Sequence, residues 1–175
     1  MTHKPAWTTS LAAGLGIAVA LGVMASISAR ELTCAKPWVF FDLGNTVISS
    51  GFDKPSNYLP GAHEYVRELR RRGVHIGLIT NVPEKWGKNK AEKIRELKKL
   101  VKDTWTKEPG AEAMDWSDFP DSSIILPPRD IFRKPAPYLF RNALAKVSAE
   151  EGTSQCPVYF QGEDPLEVGV AENLG

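Results

Sequence analysis

The stretch "KPWVFFDLGNT" (36–46) carries the clearest structural element of the chain. Its apolar run "WVFF" (38–41) lacks polar alternation, which is typical of a strand buried on both faces of a parallel sheet. Asp42 follows this run directly, and a Gly-Asn turn comes next. The stretch therefore predicts a buried strand with one carboxylate at its carboxyl end, the edge where open α/β sheets bind ligands.

Strand and helix patterns alternate along the rest of the chain. Apolar, β-rich runs predict further strands at 74–80, 122–126 and 157–162. Helical periodicity predicts helices over 61–73, 88–105 and 136–147, and a last helix that Asp164 caps and Pro165 begins. This alternation predicts an α/β fold: a doubly wound parallel sheet in a Rossmann-like, three-layer αβα arrangement.

Composition is that of an ordinary globular protein. The chain has 175 residues, of which 42% are hydrophobic and 25% charged, with a formal net charge of +1. That length is enough for one domain with a substantial core. The near-neutral charge argues against bulk nucleic-acid binding, so we expect no nucleic-acid partner.

The N-terminal segment differs from the rest. Lys4 precedes a run that carries no charge until Arg30, the pattern of a secretory signal peptide over residues 1–29, with the domain at 34–175. The apolar run 11–25 is short for a membrane span, which needs about 20 apolar residues, and this favours cleavage. An uncleaved N-terminal anchor is the alternative, and only then is the membrane a partner. Either way we expect the domain to be exported: secreted, periplasmic, or anchored to the membrane and facing outside the cytoplasm.

The chain contains two cysteines, Cys34 and Cys156, both beyond the predicted signal segment. An even number of cysteines in an oxidising compartment suggests a disulfide. Two unpaired thiols are the alternative.

Chemistry-bearing residues follow the predicted strands. One carboxylate, a hydroxyl with an amide, an ammonium group and an acidic cluster are expected at the same edge of the sheet. They are Asp42, Thr80, Asn81, Lys134, Glu163, Asp164 and Glu167. This set suits phosphoryl transfer, because a carboxylate can attack phosphorus, hydroxyl and ammonium groups can bind phosphate oxygens, and acids can hold Mg²⁺.

Four stretches in this order resemble the haloacid dehalogenase (HAD) superfamily, chiefly its phosphatases. They are "VFFDLGNT" (39–46), "LPGAHEYVRELRRRGVHIGLITN" (59–81), "FRKPAPYLF" (132–140) and "VYFQGEDPLEVGVAENLG" (158–175). Together they span nearly all of the chain beyond the predicted signal segment. The resemblance implies a HAD-like fold and hydrolysis of phosphoric monoesters.

The resemblance also implies roles for individual residues. Asp42 would be the nucleophile and a metal ligand, and the backbone carbonyl of Gly44 a second ligand. Lys134 would act at the nucleophile and the phosphate. Thr80 and Asn81 would bind phosphate. Glu163 and Glu167 would bind Mg²⁺.

In the resembled fold the first and fourth strands are parallel neighbours. Cys34 and Cys156 each precede one of these strands, so both would lie at the same amino-terminal edge of the sheet. On that basis we expect a Cys34–Cys156 disulfide.

The chain departs from the family pattern in several places. Gly44 replaces a second aspartate that serves as general acid–base, a function worth about 10²–10⁴-fold in rate. Glutamates stand at 163 and 167 where aspartates are usual. The stretches between the four motifs leave no room for a cap domain, so we expect a capless domain. The strand that relatives add after the last helix is missing, so we expect a C-terminally short sheet with an exposed edge.

Two functions remain open. The first is a secreted Mg²⁺-dependent phosphatase that works through an aspartyl-phosphate on Asp42 and acts on a phosphorylated small molecule or macromolecule. The second is a catalytically degenerate HAD-like binding or interaction domain. Glu167 also fits a capping box on the last helix, without any metal. His63 and His75 lack metal-site spacing and receive no role, and the oligomeric state stays open.

Overall fold

The computed structural model describes residue 34 and residues 36–50, 55–153 and 155–174. All of them belong to the compact unit Glu31–Gly175. The predicted signal segment, 1–29, lies outside the described residues. Within the described ranges, no helix combines the length and the apolar character that crossing a membrane requires.

The described chain contains a four-stranded sheet and four α-helices. The strands are β1 (Trp38–Phe41), β2 (His75–Ile79), β3 (Ile124–Ile125) and β4 (Val158–Gln161), all parallel, in the order β3-β2-β1-β4. The helices are α1 (Ala62–Arg71), α2 (Lys90–Thr104), α3 (Tyr138–Glu151) and α4 (Pro165–Glu172). The predicted α/β class with an all-parallel sheet is therefore confirmed.

Helices cover both faces of the sheet. Val39 and Phe41 of β1 pack in one core cluster with apolar residues of α1 and α2. Trp38 and Phe40 point to the opposite face, into a second cluster with residues of α3 and α4. Every residue of β1 is buried, as the continuous apolar run predicts for a central parallel strand. This arrangement is compatible with the expected three-layer fold.

The third strand is shorter than the sequence indicates. A strand was expected over 122–126, but β3 consists of Ile124 and Ile125 alone. Asp121–Ser123 form a 3₁₀ turn, closed by a 2.7 Å hydrogen bond from the Ser123 N–H to the Pro120 carbonyl. The turn takes the residues just before the isoleucines out of the extended conformation, so that part of the expectation is wrong.

Cys34 and Cys156 lie at disulfide distance, with their Cα atoms 4.9 Å apart. This separation falls within the usual range for a disulfide. The strands that follow the two cysteines are hydrogen-bonded neighbours, with Trp38 opposite Val158. The structure thus confirms the expected pairing, and a disulfide fits an extracellular location.

Reducing this disulfide should destabilise the domain. The bridge joins residues 122 positions apart, and native disulfides that close long loops contribute about 2–4 kcal/mol to the free energy of unfolding. We expect dithiothreitol to lower the thermal midpoint by roughly 5–15 °C. A Cys34→Ser/Cys156→Ser double variant should start at the lower midpoint and not respond to reductant. Equal midpoints for the wild type with and without dithiothreitol would contradict the prediction.

Candidate functional site

The polar residues predicted at the strand ends lie at the carboxyl edge of the sheet. Asp42 directly follows β1, which runs between β2 and β4, and its N–H donates to the Gln161 carbonyl at 2.8 Å. Thr80 directly follows β2, is buried, and donates its N–H to the Ile125 carbonyl at 3.2 Å. The parallel register therefore places a carboxylate and a hydroxyl-bearing residue at the ends of adjacent strands.

Lys134 brings two of the predicted acids together. Its Nζ lies 2.8 Å from Oδ1 of Asp42 and 2.6 Å from Oε2 of Glu167. The Lys134 side chain is only 1% exposed, and its Nζ also sits 5.3 Å from the centre of the Phe160 ring. A buried ammonium group is thus neutralised by two carboxylates and faces an aromatic ring.

Asn81 holds the backbone of Lys134 in place. The Asn81 Nδ2 donates to the Lys134 carbonyl at 3.1 Å, and the Lys134 N–H donates to Asn81 Oδ1 at 2.7 Å. The resemblance implied that Asn81 would bind phosphate, and it did not indicate this side-chain clamp. The clamp fixes the segment that delivers the lysine to the site.

The two oxygens of Asp42 have different surroundings. Oδ1 accepts a hydrogen bond from the Leu43 N–H at 2.8 Å and also contacts Lys134. Within the described part of the chain, neither contact involves Oδ2. The lysine and the backbone orient the carboxylate through one oxygen and leave the other available to a ligand.

Glu167 is buried, and its contacts differ from those of a simple capping residue. Burial raises the pKa of its carboxyl, an effect that the hydrogen bond and charge of Lys134 oppose. Asp164 caps α4 as predicted, accepting from the Leu166 N–H at 2.8 Å. Glu167, expected at the third helical position of a capping box, instead directs Oε2 to Lys134.

Glu163 faces the loop that follows Asp42. Asn45 donates a hydrogen bond from Nδ2 to Glu163 Oε1 at 3.3 Å. The backbone of Asn45 lies in the left-handed region, with φ 53°. Asn45 Oδ1 in turn accepts from both the N–H and the hydroxyl of Ser50. A Cβ atom on Gly44 would lie 2.6 Å from Ser50 Oγ, so the closed loop itself favours glycine at this position.

A second polar cluster was not foreseen. His63, Asp115 and Asp118 offer ligand atoms that all lie within 4.8 Å of one another. The described residues form no comparable group of three that includes Asp42, Glu163 or Glu167; the other such group is the cysteine pair with Glu151. No sequence pattern indicates this cluster, because the tertiary fold alone brings His63 of α1 to the distant segment 115–118.

No protein-family model matches the chain, and no curated protein matches its sequence.

The raised pKa of Glu167 predicts a pH-dependent stability. The folded chain keeps this carboxyl protonated above pH 4.5, its ordinary pKa, where the unfolded chain has lost the proton. The unfolded state then binds fewer protons, so the contribution of Glu167 to stability falls as pH rises. We expect the stability of the wild type relative to Glu167→Gln to decrease from pH 4.5 towards neutrality.

Urea unfolding in EDTA, at a series of pH values, measures this difference. Glu172→Gln, an exposed acid on the same helix, is the matched control and should show a flat difference from the wild type. If the stability of the wild type relative to Glu167→Gln rose over this pH interval, Lys134 would be lowering the pKa of the carboxyl, which is the opposite of the prediction.

Proposed function

We propose that the domain is a HAD-like, Mg²⁺-dependent phosphatase that forms an aspartyl-phosphate on Asp42. The observation that carries the proposal is the 2.8 Å contact between Oδ1 of Asp42 and the buried Nζ of Lys134. Such a contact orients the carboxylate, as a nucleophile requires, and places a positive charge where phosphate oxygens would bind.

The remaining Asp42 oxygen, Oδ2, is the attacking atom in this proposal. It forms a bond to phosphorus while the bond from phosphorus to the ester oxygen breaks. The departing alkoxide takes a proton from water, because position 44 carries no acid. The hydroxide that remains attacks the aspartyl-phosphate, restores the carboxylate and releases inorganic phosphate. Thr80 and Asn81 follow β2 at the same edge and would bind the non-bridging oxygens.

The chemistry of the residues at this edge suits a magnesium ion, which prefers hard oxygen ligands. In the proposal the carboxylate of Asp42, the carbonyl of Gly44 and the carboxylate of Glu163 would supply such oxygens. Bound there, Mg²⁺ would offset the charge of the phosphate. Glu167, which the resemblance also assigned to the metal, directs Oε2 to Lys134, so we propose that it mainly balances the charge of the lysine.

The second candidate function is a binding domain without turnover. Gly44 offers no general acid, and the loop around it is closed by Ser50. Such a domain would keep the positive charge of Lys134 and the strand-end donors, and would bind a phosphorylated small molecule or macromolecule. For both functions we propose an exported location, which the Cys34–Cys156 pair supports.

Turnover separates the two functions. We expect the wild type to hydrolyse an activated aryl phosphate with Mg²⁺ and to lose activity when EDTA is added. Asp42→Asn removes the nucleophile and should lower kcat by at least about 10³-fold, a typical scale for losing a covalent catalyst.

Asp121→Asn is the matched control, since this exposed aspartate pairs with Lys98 on the surface. Circular dichroism checks that each variant is folded. Equal rates for the wild type and Asp42→Asn would exclude the nucleophile, whereas phosphate binding by calorimetry without turnover would support the binding domain.

Restoring an acid at position 44 should raise activity, provided that Ser50 makes room. The Ser50 hydroxyl would have to leave Asn45 to admit a side chain at 44. We therefore expect Gly44→Asp/Ser50→Ala to increase kcat on an unactivated alkyl phosphate by roughly 10²-fold, within the usual range of general acid catalysis. Ser50→Ala alone is the control and should leave kcat unchanged. A double variant no faster than this control would contradict the prediction.

A further inference from the structure

Two buried polar atoms face each other at the second cluster and lack hydrogen-bond partners. Nε2 of His63 and Oδ2 of Asp118 are 3.7 Å apart, and neither has a hydrogen-bond partner within the described part of the chain. The two residues are only 8% and 4% exposed. A buried polar atom without a hydrogen-bond partner is unfavourable by about 1–3 kcal/mol. Two such atoms that face each other therefore indicate a group that bridges them.

The geometry around His63 points to a metal ion as that group. Its Nδ1 lies 2.9 Å from Oε2 of Glu112. Its Nε2 is the ring nitrogen that faces Oδ2 of Asp118. A cation between Nε2 and Oδ2 would give both buried atoms a partner. A carboxylate on the other ring nitrogen is the usual arrangement of metal-binding histidines.

Neighbouring side chains hold the cluster in position. The Tyr58 ring stacks on His63 with centres 4.3 Å apart and planes 1° from parallel. The Tyr58 hydroxyl accepts from the Asp115 N–H at 2.7 Å. Arg70 binds Oδ1 of Asp118 at 2.9 Å and so leaves Oδ2 directed at the imidazole. The site is thus ordered before any ion arrives, as tight metal binding requires.

We propose that His63, Asp115 and Asp118 bind one divalent transition metal ion, with Zn²⁺ preferred. Imidazole and carboxylate are common zinc ligands, and tetrahedral zinc places its ligand atoms roughly 3.3 Å apart. The 3.7 Å gap between Nε2 and Oδ2 therefore needs only a small contraction. Water completes the coordination shell.

The role of this site is structural. An ion there joins α1 to the segment 115–118, which otherwise contains only a short 3₁₀ turn at Trp116–Asp118. None of its ligands belongs to the carboxyl-edge site around Lys134, so the inference stands apart from the proposed phosphatase activity.

Zinc binding to the full chain, purified without a metal-binding tag and stripped with EDTA, tests the proposal. We expect calorimetry with ZnCl₂ and elemental analysis to give one ion per chain, and zinc to raise the thermal midpoint. Since the zinc ligands act together, His63→Gln or Asp118→Asn should weaken binding at least 100-fold. Glu112→Gln, which only orients the imidazole, should weaken it by about 10-fold.

His75→Gln is the matched control, because His75 also lies beside a glutamate, with Nε2 3.6 Å from Glu151, but lies outside the cluster. Asp42→Asn should also bind zinc normally. If a ligand variant fails to fold, the visible spectrum of Co²⁺ bound to the wild type reports tetrahedral nitrogen and oxygen ligation in its place.

Three results would overturn the proposal: no saturable zinc binding, unchanged binding in the folded double variant His63→Gln/Asp118→Asn, or loss of binding in Asp42→Asn. The first would mean that a second proton or a water molecule bridges His63 and Asp118. The last would place the zinc at the carboxyl edge of the sheet.

Discussion

The buried charge of Lys134 is the constraint on which the carboxyl edge of the sheet depends. Its side chain is almost fully enclosed, and an ammonium group left unpaired there would be unfavourable by several kcal/mol. Asp42 and Glu167 both approach its Nζ, while Asn81 fixes its backbone. These contacts join the end of β1, the exit from β2, the entry to α3 and the first turn of α4.

Stability alone is a poor reason for this arrangement. Apolar side chains of similar volume often replace buried ion pairs with no loss of stability. The triad also carries an excess of negative charge when both acids are ionised, and burial favours the protonated form of Glu167. The ammonium group of Lys134 lies beside Asp42, where it could also meet an incoming anion, an arrangement that suits the proposed phosphoryl transfer better than it suits packing.

Much of the fold follows from local sequence patterns. Continuous apolar runs indicated β1, β2 and β4, and helical periodicity indicated α1 and α2. The run after Pro135 indicated α3, and the cap signals of Asp164 and Pro165 indicated α4. Carboxyl-edge residues could be predicted for the same reason, because parallel strands end together. The cysteine pairing needed the neighbour relation of β1 and β4, which only the resemblance supplied.

The structural features that the sequence did not predict depend on contacts that leave no periodic pattern in it. The side-chain clamp from Asn81 to Lys134 joins two loops, and the cluster of His63 with Asp115 and Asp118 joins a helix to an irregular segment. In each case the partners are far apart in sequence and lie outside the strands. No spacing rule describes such pairs, since the tertiary fold alone sets their separation.

The two polar sites share one structural neighbour, Tyr58. Its ring packs on His63, and its backbone forms a β-bridge with Ile48, in the loop that follows Asp42. The adjacent Leu59 N–H also donates to the Val47 carbonyl at 3.0 Å. Tyr58 therefore links the imidazole of His63 to the loop behind the proposed nucleophile, so one residue packs against both polar sites.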